Sequence, residues 1–144
     1  MSFNAEKSRE LGREIGAKAK ACFNNAFRAL AELPGSSYIE GYAIIGGGLV
    51  IEHAWIEYQG ETIDPTLPEG AGEYFPGLRY SQAELLEALA EIPELPIFYR
   101  FGWGGQESPS MREANRRAWA RIGLTLPHIP GLDSAESARE PEEQ

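Results

Sequence analysis

The chain has 144 residues and a mass of 15.9 kDa, the size of one domain whose core needs no disulfide staple. Its 13 basic and 22 acidic residues give a net charge of −9, which argues against general nucleic-acid binding because that needs a basic footprint. The sequence holds no apolar run of membrane-spanning length, no secretory-type start, and one cysteine, Cys22, too few for an internal disulfide or a multi-cysteine zinc site.

Residues 4–33 read as helix, rich in strong helix formers and stopped at Pro34-Gly35. Gly12 and Gly16 weaken it, so a break is expected near 16–20. Ala19, Cys22, Phe23, Ala26, Phe27, Leu30 and Leu33 then follow the spacing of a buried helix face. Residues 38–45 read as a strand, Gly46-Gly47-Gly48 as a turn, and residues 49–58 as a second strand. Gln59-Gly60 is a tight-turn signal, and residues 61–64 continue as a third strand that Pro65 ends.

A loop rich in Pro and Gly is expected from Pro65 to Tyr80, long enough to suggest a site loop. Ser81 to Glu91 reads as a helix with a capping box, Ser81 paired with Glu84. Leu95 to Phe101 reads as a short strand, Gly102 to Gly105 as a loop, and residues 109–122 as a last helix with Pro109 in its first turn. Its Arg112, Arg116, Arg117 and Arg121 are expected on a solvated face.

Residues 133–144 carry five acids and one arginine, net −4 of the total −9. With no large apolar side chain there, residues 127–144 are expected to stay outside a single packed domain of residues 1–126. The order of elements predicts an α+β fold, N-terminal helices packed on a small antiparallel sheet.

Cys22, His53 and Asp64 are the candidate chemical residues. A thiol hydrolase or acyltransferase needs a thiolate, an imidazole to move its proton, and a group to orient the imidazole. A two-residue turn at Gln59-Gly60 pairs residues whose numbers sum to 119, so Trp55 faces Asp64. His53 and Trp55 share a face. That makes His53 and Asp64 diagonal neighbours, within side-chain reach. A turn of odd length would shift the register by one and undo this. Counting alone does not place Cys22.

The local sequences carry a resemblance. His53-Ala54-Trp55 followed by Asp64-Pro65-Thr66, with Tyr38-Ile39-Glu40-Gly41-Tyr42 upstream, resembles the transglutaminase-like branch of the papain-like cysteine enzymes. The resemblance covers roughly residues 20–67. It implies a papain-like core, with Cys22 as nucleophile, His53 as general base and acid, and Asp64 orienting His53. Members include peptidases, amidases and amine acyltransferases, so the implied partner is a peptide, amide or acyl substrate.

Asn24 and Asn25 are the candidate oxyanion donors beside Cys22. Tyr42, Trp55 and Trp103 are the candidate substrate contacts. The chemistry calls for no metal or organic cofactor, and the setting expected for the lone thiol is cytoplasmic. The competing reading is a catalytically silent binding domain on the same fold, with Cys22 as packing and His53–Asp64 as a structural pair. A third has Cys22, His53 and Asp64 hold zinc as mixed ligands.

Overall fold

Residues 1–98 and 108–123 are described by a computed structural model. The expected break divides the N-terminal helical stretch in two. Helix α1, Ala5–Ile15, is capped by the Asn4 side chain, which accepts from the Lys7 N–H at 2.8 Å. It ends on Gly16, whose φ of 63° is the left-handed conformation that suits glycine. Helix α2, Cys22–Glu32, begins at the cysteine itself. Ala19 therefore belongs to the exposed connection and not to the buried face. Ala26 and Leu30 of that face are buried, together with Ala29.

The remaining elements are β1 (Ser2–Phe3), β2 (Ser37–Ile45), β3 (Leu49–Tyr58), β4 (Glu61–Ile63), β5 (Glu73–Ser81), α3 (Gln82–Glu91) and α4 (Pro109–Arg121). Together they make an α+β fold with five strands in the order β1-β4-β3-β2-β5. The sheet is mixed rather than purely antiparallel, because β1 runs parallel to β4.

Two expectations are corrected here. The stretch from Pro65 to Tyr80 is not all loop: its second half is β5, antiparallel to β2. Pro76 and Gly77 disguise it. Proline is tolerated because β5 is an edge strand, and the register shifts opposite Glu40/Gly41. Leu95–Phe98 is not strand. Its Ile97 and Phe98 N–H groups donate to the buried Glu40 carboxylate, at 2.6 and 2.9 Å, instead of to a ladder. Residues 99–101, the Gly102–Gly105 loop with Trp103, and the 127–144 tail lie outside the described residues.

Side chains alternate across the sheet. One face carries Tyr38, Ala54, Ile56 and Ile63, packed against Leu11, Ile15, Ala26, Ala29, Leu30 and Leu85. Farther along it, Tyr42, Ile44 and Phe75 pack against Met111, Ala114 and Ala118 of α4. The α4 arginines are placed individually: Arg116 pairs with Glu113, Arg121 with Glu73, and Arg117 lies over the Phe75 ring. The opposite face carries His53 and Trp55, paired with Gly41 and Ile39. No described helix is long and apolar enough to cross a membrane.

Gly41 sits where three strands crowd together. A Cβ there would fall 2.2 Å from the Phe75 carbonyl oxygen and 3.0 Å from the Trp55 ring. Gly41→Ala should therefore lower stability by about 1–3 kcal/mol, read as a lower urea midpoint. An unchanged midpoint would contradict the close packing of β2, β3 and β5.

Candidate functional site

The hairpin joining β3 and β4 sets the site. Gln59 and Gly60 both have positive φ, 51° and 77°, as a two-residue turn between twisted strands requires. The register pairs Tyr58 with Glu61, Glu57 with Thr62 and Ile56 with Ile63, the counted sum of 119. Pairing stops there for two reasons. The Asp64 N–H turns away to the Ser8 hydroxyl in α1, at 2.9 Å, and Pro65 has no N–H to give.

Asp64 is fully buried. Its Oδ2 lies 2.7 Å from His53 Nε2 and accepts the Tyr74 hydroxyl at 2.8 Å. Its Oδ1 accepts the Thr66 and Leu67 N–H groups, each at 3.0 Å. A buried carboxylate needs such partners, because an unpaired charge away from water is costly. His53 is buried as well, at 2% exposure. Its ring lies against Trp55 and Tyr74, with centroids 6.0 and 6.3 Å away.

Cys22 is half-buried. It lies close enough to His53 to interact electrostatically with the imidazole. Asp64 engages Nε2, which leaves Nδ1 as the ring nitrogen for the sulfur. Two features fix the cysteine. It opens α2, whose N-cap residue Ala21 supplies no side-chain bond, so the helix alone gives the first-turn N–H groups no acceptor. The Asn25 amide then ties this turn to both flanking segments. It donates to the Lys18 carbonyl and the Thr66 hydroxyl, both at 2.8 Å, and its oxygen accepts the Lys18 N–H at 3.2 Å. Thr66 stands two residues after Asp64, so one amide brings the start of α2 to the carboxylate's own loop.

The structure thus brings Cys22, His53 and Asp64 together and redistributes the other candidates. Asn25 is no oxyanion donor, because both its N–H donors are spent on the scaffold. Asn24 is exposed and free to face a ligand. Tyr42 lies on the face opposite His53. It pairs with Glu52 while His53 pairs with Gly41, which puts its side chain on the helix-covered face. Trp55 is fully buried and backs the imidazole instead of meeting a substrate.

Tyr74 and Ser8 are supporting residues that the sequence did not reveal as such. Tyr74 fell within the expected Pro65–Tyr80 loop. The strand alternation that would have aimed it at Asp64 was hidden by Pro76. Ser8 looked like any helix serine, and its one distinguishing sign is burial.

Among the described residues, no group of three or more His, Cys, Asp or Glu side chains forms a metal-holding cluster. No family model, curated protein or solved structure matches the chain.

Burial opposes charge on His53, but the hydrogen bond to Asp64 and the interaction with Cys22 outweigh it and raise the pKa from 6.5 to about 9. The folded state therefore holds a proton that the unfolded chain releases above pH 6.5. Its stabilising effect is complete below pH 6.5 and is lost as pH rises through about 9. The melting temperature should fall across that window, and the fall should flatten in His53→Gln; parallel curves would refute the linkage.

Tyr74→Phe removes a donor from Asp64 and leaves the Ala71 N–H without the hydroxyl it now reaches at 3.0 Å. The expected loss is about 1–3 kcal/mol. Asp64→Ala should cost more, about 3–5 kcal/mol, since it strands a buried cation and several N–H donors. Chemical unfolding of the two variants checks the order.

Proposed function

We propose that the chain is a cysteine-dependent amide or acyl hydrolase or acyltransferase of the transglutaminase-like, papain-like kind. The observation that carries this reading is the buried His53–Asp64 pair with Cys22 near enough to act on the same imidazole. His53 is held by Asp64 through Nε2, which leaves its other ring nitrogen for proton transfer with Cys22.

In the proposed reaction the Cys22 sulfur attacks a substrate carbonyl with its proton already held on His53 as the imidazolium. The carbonyl oxygen gains negative charge. The unpaired N–H groups of the first turn of α2, with the Asn24 side chain beside them, are the proposed donors to that oxygen. As the tetrahedral centre collapses, the carbon–nitrogen bond breaks and His53 returns its proton to the departing amine. A thioester remains on Cys22. Water, or a second amine, then attacks that thioester while His53 accepts its proton, and the thiolate is restored with release of an acid or a new amide.

Asp64 keeps the ring aligned through Nε2 and balances the imidazolium, and Tyr74 and the Thr66 and Leu67 N–H groups hold Asp64. The position of Cys22 at a helix start supports the reading further, since that is where backbone donors converge on negative charge.

The test is alkylation by iodoacetamide at pH 6–7. Cys22 should react far faster than a simple thiol, and His53→Ala should slow it at least about tenfold, within the range that a positioned proton acceptor contributes. Slow labelling of the native protein, becoming fast only on unfolding, would leave His53–Asp64 as a structural pair on a binding domain.

A further inference from the structure

An apolar groove of about 640 Å³ opens beside the start of α2, lined by Phe23, Phe27, Leu89, Pro93 and Leu95. Its remaining lining is Ala21 and Asn24, which with Phe23 bracket Cys22 in the chain. The groove therefore begins one residue from Cys22 along the chain. Its volume is that of a small-molecule site.

The walls are built before any ligand arrives. The buried Glu40 carboxylate accepts the Ile97 and Phe98 N–H groups and so pins the segment that follows Leu95. The Phe98 ring packs on Phe23, with centroids 5.9 Å apart. Phe23, Phe27, Leu89 and Leu95 are only partly buried, packed on the core on one side. Among the described residues no charged side chain lines the groove, although the chain carries a net charge of −9. A charged occupant would be desolvated there without a partner.

We infer that this groove is the specificity site for an uncharged, apolar side chain or acyl chain, of phenyl or hexyl size, next to the carbonyl presented to Cys22. This rests on the proposed thiol chemistry and names the substrate class for it: amides or acyl compounds with a bulky apolar group adjoining the reacting carbonyl. Asn24, at the groove and beside the cysteine, is the polar group placed to meet that carbonyl's end of the ligand. A preformed groove binds such a group with little ordering cost.

Alkylation rates separate this inference from the reading beneath it. The native protein is treated with iodoacetamide, N-phenethyl iodoacetamide, N-hexyl iodoacetamide and iodoacetate. In each case a carbon–sulfur bond forms, iodide leaves and the proton given up by Cys22 remains on His53 or in solvent. The two apolar reagents should outpace iodoacetamide by at least about tenfold and show saturation, and iodoacetate should be slowest.

Leu89→Gln should bring the apolar-to-plain ratio towards one while iodoacetamide itself reacts within about twofold of the native rate. Pro93→Glu, at an exposed position that the fold tolerates, should do the same. Fast labelling by iodoacetamide with a ratio near one, insensitive to Pro93→Glu, overturns the groove alone. Slow labelling by iodoacetamide overturns the thiol reading and the groove's role with it.

Discussion

The Asp64 carboxylate is a buried charge, and the arrangement around it follows from the need to satisfy it. Its partners come from separate parts of the chain: His53 from β3, Tyr74 from β5, and the N–H groups of Thr66 and Leu67 from its own loop. Its backbone N–H is taken by Ser8 of α1. One residue thus fixes where β4 ends, how α1 approaches the sheet and which way the imidazole faces. The same contacts that neutralise the charge make the site rigid, because none can shift without exposing another buried polar group.

A second buried carboxylate on the other face of the sheet follows the same rule. Glu40 accepts two backbone N–H groups and the Tyr38 hydroxyl, much as Asp64 accepts two backbone N–H groups and the Tyr74 hydroxyl. The difference lies in what each holds. Glu40 anchors a length of irregular chain, whereas Asp64 adds an imidazole to its partners. Burial alone therefore does not mark a carboxylate as chemical; the titratable neighbour does.

Local chemistry made much of the fold legible in the sequence. The Gln59-Gly60 turn determined the register, and with it the His53–Asp64 contact, because a two-residue turn leaves one pairing available. The break before α2 was signalled by glycine, and the start of α3 by the Ser81–Glu84 capping box, which forms as written. Non-local pairing was not legible. Strand β5 was masked by Pro76-Gly77, residues that punctuate loops in most settings and are accommodated here only because the strand lies at an edge. The face of Tyr42 was not legible either, because its β3 partner, Glu52, is what shows which side of the sheet it occupies. The role of Asn25 was misassigned for a similar reason: an amide beside a cysteine looks like an oxyanion donor until Lys18 and Thr66 are seen to occupy it.

The contact from Ser8 to Asp64 spans 56 positions of sequence, that from Asn25 to Thr66 spans 41, and Phe3 reaches across the fold to stack on Tyr74. Loop closure of that length must precede the contacts that reward it. No short fragment of the chain can assemble the constellation, and the hairpin of β3 and β4 on its own would carry His53 and Asp64 without the groups that hold them. The site is thus complete only when α1 and α2 have docked, and its integrity reports on that docking as much as on the residues at its centre.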